Sequence, residues 1–476
     1  MMQHHLWSGL GLVAPLEAWL LGPMPAAVSG VSIDTRTLQP GDLFFAIAGD
    51  ASDGHDHVRA AFEKGAAAAV VSEARAPTLR GAGPLFIVHD VLKSMVALGR
   101  AARARSQARV IAVTGSVGKT STKEALRTVL SGFGRTHASA ASYNNHWGVP
   151  LTLARMPREA LYGVFEIGMN HAGEITPLVA QVRPHVAIVT TVAPVHLEHF
   201  ESVDAIGEAK AEIFSGLMPE GTAIIHRDVP QYALLRARAE AAGARTLTFG
   251  DHEDADARLV SIDLREDNSL VAASVFGEAI VFKVGAPGRH MAVNALAVLL
   301  AAHAAGCDVQ AAAQALADVR PAPGRGTRAT LDVAGGSFTL IDESYNANPA
   351  SMRAALSLLA ATQPGPGGRR IAVLGDMLEL GPEGAALHAG LAPALEAAHV
   401  DLAFTAGPLM RHLDAALPQA MRAASAASAA EIEDAALAAI RPGDVVMVKG
   451  SNGSKTGRVV EAMKSRFARV REAASA

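Results

Sequence analysis

One cysteine, Cys307, is all that this 476-residue chain contains. That excludes an internal disulfide framework and any cysteine-based zinc cluster, and it fits a reducing compartment. Aromatic residues are scarce at 4%, so its cores must be filled by Ala, Val, Leu and Ile on helices and parallel strands. Charge of one sign is lacking too: the net charge is −4, with no long basic run, which argues against a nucleic-acid or polyanion surface. No apolar run reaches the ~20 residues of a membrane span. The apolar N-terminal stretch is interrupted by Pro15, Glu17 and several glycines, and it lacks the cationic start of a signal peptide. The chain is therefore expected in the cytoplasm, without stable membrane insertion and without a nucleic-acid partner. Within that stretch Trp7, Leu10, Val13, Leu16, Trp19 and Leu20 recur at roughly helical spacing and predict a short amphipathic helix packed on its own domain.

What the chain does have is apolar mass, 50% of its residues, and a length that at roughly 100–200 residues per domain implies two to four domains. Residues 1–88 alternate short apolar runs with turns (VSIDTR, LQPGDLFFAI, AAAAVVSE, LFIVHD) and read as a small α/β domain. Residues 89–320 open with a helical segment and then alternate strands with helices (IAVTG, YGVFEIG, VAIVTTV, GTAIIH), the pattern of a parallel sheet. From about Ala257 to Val284 polar and apolar residues alternate instead, which predicts an antiparallel excursion at the edge of that sheet. Pro321, Pro323, Gly324 and Gly326 mark a boundary. Residues 321–476 then repeat the βα pattern of an open, Rossmann-like doubly wound sheet (FTLIDESYN, RIAVLGDM, DLAFTAG, DVVMVKGS). The Ala-rich MRAASAASAAEIEDAALAAI reads as a surface helix.

The strongest chemical signal is VIAVTGSVGKTSTKEAL, residues 110–126: a β-branched run, a glycine loop, Lys119 and Thr120, then a helix-forming segment. A phosphate chain needs this layout. Glycines let backbone N–H groups approach the oxygens, the helix N-terminus carries partial positive charge, and the lysine reaches the terminal phosphates. The usual spacing would put a glycine at Val113, so the loop Thr114, Gly115, Ser116, Val117, Gly118, Lys119, Thr120, Ser121 is shorter by two residues. Near the C-terminus VVMVKGSNGSKTG offers Lys455 and Thr456 after a second Gly-rich turn. There a plain strand end turning into a helix competes with a second phosphate loop, and Lys449 sits at the strand's carboxyl end, where open α/β sheets bind ligands.

Phosphates call for a cation and acidic groups to hold it. Glu166 ends one strand, and His196 and Glu198 follow another, all at the carboxyl edge that carries the phosphate loop. Glu166 reads either as a Mg²⁺ ligand or as a structural carboxylate. HLEH spaces His196 and His199 as zinc sites allow, but there is no HExxH and no nearby cysteine. Lys210 reads by composition as a solvated helix lysine. Arg289, His290, Asn294, Arg325 and Arg328 lie near turns, as nucleotide grips or as surface charge.

Taken in order, TGSVGKTS, SYNNHWGVP, EIGMNHAGEI, HLEHF, AKAEIF, GRHMAVNAL, PGRG, DESYNANP, LGDMLELG and VKGS resemble the Mur ligase family, ATP-dependent amino-acid-adding enzymes of peptidoglycan precursor synthesis, over nearly the whole chain. SYNANP, GDMLELG and EIGMNHAGEI are most similar to the member that adds D-alanyl-D-alanine, and the DNPR-type motif of the diaminopimelate-adding relative is absent. The resemblance implies an N-terminal domain that holds the UDP-sugar, a central ATP-binding domain, and a C-terminal domain that closes over ATP and the dipeptide. It implies ATP and Mg²⁺, with UDP-MurNAc-tripeptide and D-Ala-D-Ala as the partners of a monomeric ligase. Gly118, Lys119 and Thr120 would then take the β- and γ-phosphates and one Mg²⁺, and Glu166 and His196 would serve the metals. Lys210 matches a lysine that relatives carbamylate. Asn294 and Arg325 fall on adenine-side and phosphate-side positions, while Asp342, Tyr345, Asn346 and Asn348 would close over ATP and dipeptide. Asn144, Asn145, Asn170 and His171 would line the peptidyl channel, and Ser32, Asp34, Thr35 and Arg36 the uridine-diphosphate site, with Gly49, His55 and Asp56 nearby. The rival expectations are another amino-acid ligase of the family and a phosphate-loop regulatory ATPase.

Overall fold

Apolar runs flanked by turn residues become strands, and among the described residues these assemble into a two-stranded ribbon and three larger sheets whose carboxyl edges carry the loops of interest. The computed structural model describes residues 5–49, 52–140, 142–195 and 197–467. The first sheet has five strands in the order Trp19–Leu21, Leu85–Val88, Ala68–Ser72, Asp42–Phe45, Gly30–Ser32, all parallel except the first pair. The N-terminal helix spans only Gly9–Leu16. Trp7 lies in a two-residue strand before it, and Trp19, 53% exposed, in an edge strand after it. The helix stops because Glu17 takes a left-handed conformation (φ 52°) and returns its N–H to the last turn.

The central sheet has nine strands in the order Glu278–Val284, Ser269–Val275, Ala257–Leu264, Arg245–Gly250, Thr222–His226, Val186–Val189, Arg109–Thr114, Tyr162–Glu166, Thr136–Ala138. The run from Thr136–Ala138 to Ala257–Leu264 is parallel, and the last three strands in sequence pair antiparallel, as their alternating patterning requires. Arg109–Thr114 is flanked by Tyr162–Glu166 on one side and Val186–Val189 on the other, so the strand order reverses there. A switch point opens a crevice at the carboxyl edge, and the glycine loop sits in it. Aliphatic cores cover both faces, one built on the helix Arg289–Ala304 and the other on Ile175–Val182 and neighbouring helices. Cys307 is buried in the first of these, its thiol donating to the Tyr162 hydroxyl at 3.4 Å.

The helix Val91–Arg105 joins the two units. It packs on Gly148–Ala154, with Gly99 so close that a Cβ there would lie 3.0 Å from the Pro150 carbonyl. Arg103, buried, donates from Nε to the Val182 carbonyl (2.7 Å) and from Nη2 to the Arg183 carbonyl (2.8 Å), and burial lowers its pKa to about 10. The third sheet runs Thr327–Val333, Gly336–Glu343, Val445–Lys449, Arg370–Gly375, Leu402–Ala406, Arg422–Ala426, parallel except for the first pair. Only the second half of the Ala-rich stretch is helical (Ala429–Ala439); its first half forms the edge strand Arg422–Ala426. Among the described residues no helix is long and apolar enough to cross a membrane.

Candidate functional site

The glycine loop takes the shape its composition allows. Gly115 (φ 149°) and Gly118 (φ 89°) hold backbone angles that side chains rarely adopt. A Cβ would lie 2.0 Å from Thr190 Oγ1 at Gly115 and 2.6 Å from Asn294 Nδ2 at Gly118. The loop is pinned from the neighbouring strand end: Thr190 Oγ1 donates to the Val117 carbonyl (2.5 Å), Ser116 Oγ to the Ala193 carbonyl (3.0 Å), and Ala193 N–H to Ser116 Oγ (2.9 Å). Gly118 then caps the helix Lys119–Ser131, whose first N–H groups face the crevice. Lys119 Nζ donates to the Gly115 carbonyl at 2.7 Å. Burial lowers its pKa, with Glu166 acting to raise it and Arg325 to lower it further.

Beside the lysine stands an oxygen cluster. Thr120 Oγ1 donates to Glu166 Oε2 (2.9 Å) and lies 3.2 Å from Ser142 Oγ, while Asn144 Nδ2 donates to Glu166 Oε1 (2.8 Å). Glu166 is 1% exposed, and these hydroxyl and carboxylate oxygens form the donor set that a hard divalent cation prefers. Among the described residues no three His, Cys, Asp or Glu side chains are placed to hold a metal ion together. His196 lies outside the described residues. His199 stacks on His171 with centroids 4.3 Å apart.

Lys210 corrects its composition-based reading. Far from solvated, it is 2% exposed near the end of the helix Val203–Ala211. Burial, with the Lys119 charge nearby, pushes its pKa well below the ordinary lysine value.

Two cavities meet at the lysine. One, about 550 Å³, is lined by the phosphate loop, by His226, Arg289, His290 and Asn294 of the central unit, and by Arg325, Glu343, Asn346, Asn348 and Lys449 at or beyond the boundary. The other, about 320 Å³, is lined by Ser142, Asn144, Glu166 and Asn170 on one side and by Tyr345, Leu378–Leu380 and Ser451–Gly453 on the other. Ser116, Lys119, Arg325, Asn346 and Asn348 belong to both. A phosphoryl group passing from a nucleotide in the first to an acceptor in the second would cross at Lys119. Arg325 also lies over the Tyr345 ring, 4.2 Å from its centroid. A third cavity, about 520 Å³, opens between the first two sheets, lined by Thr37, Gln39 and Asp42 against Tyr143, Arg155 and Arg158.

Other expected residues stand outside these three cavities because their polar atoms are spent locally. Asp342 accepts from the N–H and hydroxyl of Ser344 (3.1 and 2.6 Å), and Asn145 Oδ1 accepts from the Gly148 N–H at 3.0 Å. His171 leans on Glu174 Oε1 at 3.0 Å. Ser32 Oγ bonds the Asp34 carbonyl (3.0 Å), and Asp34 clasps Arg36 through Nε (3.0 Å) and Nη2 (2.7 Å), a contact that holds the carboxyl below its usual range. Thr35 belongs to this turn, which meets the third cavity only at Thr37. His55 is a buried pin, its Nε2 accepting the Ser72 N–H at 3.0 Å. Arg328 is taken up by Thr362 Oγ1 (2.7 Å) and Glu266 (3.3 Å). Lys455 lines none of the three cavities, whereas Lys449 is buried against Glu343 Oε2 (3.1 Å) and the Asn346 carbonyl (3.0 Å). Sequence reasoning passed over Ser142, Thr190, Glu343 and Ser451. Ser142, Glu343 and Ser451 lie inside quoted motifs and Thr190 in a quoted strand run, but nothing in those strings separates them from their polar neighbours.

The same three-part layout appears in known proteins. Residues 27–115 match the Mur ligase family catalytic domain, 113–302 the Mur ligase middle domain, and 328–452 the Mur ligase glutamate ligase domain. The chain belongs to the Mur ligase family. Within it, the chain is 36% identical over 381 residues to the UDP-N-acetylmuramoyl-tripeptide–D-alanyl-D-alanine ligase of Escherichia coli, covering 80% of this chain and 81% of that one. The ligase of the same name from Rickettsia prowazekii is 31% identical over 90% of this chain and 94% of its own length. Among solved structures, MurF from Acinetobacter baumannii superposes with a TM-score of 0.83 at 26% identity, covering 98% of this chain and all of that one. MurF from Thermotoga maritima, solved with ADP, gives 0.75 at 25% identity over 92% and 97%. In this Mur ligase the glycine loop at residues 114–121 lies at the junction of the first two cavities, which share Ser116 and Lys119.

Proposed function

We propose that this protein joins D-alanyl-D-alanine to UDP-N-acetylmuramoyl-tripeptide at the expense of ATP, giving the pentapeptide precursor of peptidoglycan. The observation that carries the reading is the full-length match to ligases of that name. The two cavities meeting at Lys119 support it, because such a reaction needs ATP and an acceptor held on either side of one phosphoryl-transfer point.

The chemistry follows from two poor reactants. A carboxylate is a weak electrophile and an ammonium is no nucleophile. Transfer of the ATP γ-phosphoryl to a carboxylate oxygen of the tripeptide releases ADP and leaves an acylphosphate. The free amine of the dipeptide, with an ordinary pKa of about 7.7–8.0, loses its proton near neutral pH and attacks the acyl carbon; the C–O bond to phosphate breaks and an amide remains. Lys119, Arg325 and the first N–H groups of the helix Lys119–Ser131 bind the charge that collects on the phosphoryl oxygens. Thr120 and Glu166 would hold a Mg²⁺ ion, with His196 as a further ligand, and the ion would supply electrostatic stabilisation of those oxygens. Asn144, Asn170, Tyr345 and Asn346 orient the acceptor, Asn294 the nucleotide, and the turn Ser32–Arg36 the uridine diphosphate. Lys210, buried and with its pKa pushed well below the ordinary lysine value, we assign as the site's auxiliary lysine.

The test is phosphate release from MgATP with the tripeptide nucleotide and D-Ala-D-Ala omitted one at a time. Release that needs both, with a pentapeptide product, is expected. Release with a different amino acid would move the protein to a sister ligase, and release with ATP alone would make it a regulatory ATPase.

A further inference from the structure

One wall of the acceptor cavity is the loop segment Leu378–Leu380, which faces the Tyr345–Asn348 loop across it. Loops drift unless their backbone groups are held, and dipeptide recognition requires this wall to keep its place. Behind it, where no solvent reaches, stands His388, on the short helix Gly384–Ala389 and 0% exposed. Its two ring nitrogens are both committed. One sits 2.6 Å from the carbonyl of Gly384, and the other 2.9 Å from the amide nitrogen of Met377. A carbonyl can only accept and an amide can only donate, so Nδ1 carries the proton and Nε2 is a bare acceptor. Burial and the nearby His412 lower the ring's pKa and favour this neutral form, against the opposing pull of Asp376. Asp376 is itself engaged, accepting the N–H groups of Met410 (2.8 Å) and Leu409 (3.3 Å).

The next amide is held from the opposite side. Ser451 Oγ accepts the Leu378 N–H (3.0 Å) and donates to the Ala347 carbonyl (3.2 Å), and the Ser451 N–H donates to the Asp376 carbonyl (3.0 Å). Thus two consecutive loop amides are fixed by side chains of two other elements, and one of those elements also touches the Tyr345–Asn348 loop across the cavity. We propose that His388 is a positioning residue for the dipeptide, whose amine must reach the acyl carbon in this same cavity: by accepting the Met377 N–H it fixes the Leu378–Leu380 wall against which the dipeptide is seated. His388 lines none of the three cavities and does not itself meet substrate.

The substrate side of this inference rests on the proposed reaction, so the test has two independent readouts. In H388F the ring keeps its bulk and loses its acceptor, whereas in H388Q an amide oxygen can take the Met377 N–H again. Hydrogen exchange across residues 376–380 should speed up at least about tenfold in H388F, the effect of one lost buried hydrogen bond, and return toward wild type in H388Q. In steady state, the KM for D-Ala-D-Ala should rise about tenfold in H388F with the KM for ATP unchanged, and H388Q should recover most of it. Unaltered exchange in H388F, equal rises in both KM values, or no recovery in H388Q would overturn the proposal. Wild-type protein inert toward D-Ala-D-Ala would instead overturn the assigned reaction, and the exchange experiment would still decide the role of His388.

Discussion

Single side chains decide whether the phosphate loop works. Lys119→Ala removes the one lysine shared by both cavities and should lower kcat/KM for ATP by about 10²–10³-fold while leaving the melting temperature near wild type, as steady-state kinetics and thermal unfolding will read. Gly118→Ala is a different kind of lesion. Its φ of 89° and the 2.6 Å approach to Asn294 Nδ2 force either the loop or Asn294 to move. Nucleotide affinity should fall by at least about tenfold and stability by about 1–3 kcal/mol, measured by calorimetric titration and by urea unfolding. Asn348 shows how one residue can serve local and site geometry together. It lines both cavities, yet its Oδ1 accepts the Ser351 N–H at 2.9 Å and Ser351 Oγ accepts its own N–H at 3.0 Å, a capping box that starts the helix Pro349–Ala361. Burial was the hidden variable at this scale. Lys210 and Glu166 have equally plain sequence surroundings, and only packing separates them from solvated charges.

Elements are joined by half-buried histidines that must stay neutral. His185 Nδ1 accepts the Val110 N–H (2.9 Å) at the start of the strand that leads to the phosphate loop. His137 Nε2 donates to the Thr152 carbonyl (2.7 Å), tying an edge strand to the helix Gly148–Ala154. Burial depresses both pKa values to about 4. With unfolded values near 6.5, the unfolded chain binds up to two more protons than the folded one between about pH 6.5 and 4. Their contribution is therefore complete above that window and is lost as pH falls through it, with a combined slope of up to about 2.7 kcal/mol per pH unit. Urea midpoints measured from pH 7 down to 4.5 should drop accordingly, and H185Q should remove roughly half of the excess slope. An identical pH dependence in H185Q would disprove the assignment.

For the whole molecule, the cavities lie between units rather than within them. The cavity proposed for the nucleotide takes walls from the central and third units, and Gly324 and Arg325 line it. A bridge also spans the acceptor side, where the Glu198 N–H points to the Glu379 carbonyl at 3.4 Å. MgATP should therefore draw the two units together and shield the linker. Trypsin cleavage after Arg325 is expected to slow at least about fivefold with saturating MgATP, and no protection would argue against closure around the linker. A reactive acylphosphate exposed to water would hydrolyse, which gives closure its chemical purpose.

Much of this architecture was legible from the chain alone. Alternating βα patterning, the antiparallel excursion after Ala257 and the Gly-Lys-Thr loop are local signals, and hydrophobic period and glycine placement report them directly. The order of motifs carried the family for the same reason: each motif is read from contiguous residues, whether it forms a loop at a strand end or, like AKAEIF and GRHMAVNAL, part of a helix. Tertiary structure alone decided which polar residues face a cavity. Asn144 and not Asn145 reaches Glu166, Lys449 and not Lys455 lines the nucleotide cavity, and His388 stands behind the acceptor wall 11 residues from the amide it holds. Those choices depend on register, on which partner claims a hydrogen bond first, and on exclusion of water, and these arise only when segments distant in sequence pack together.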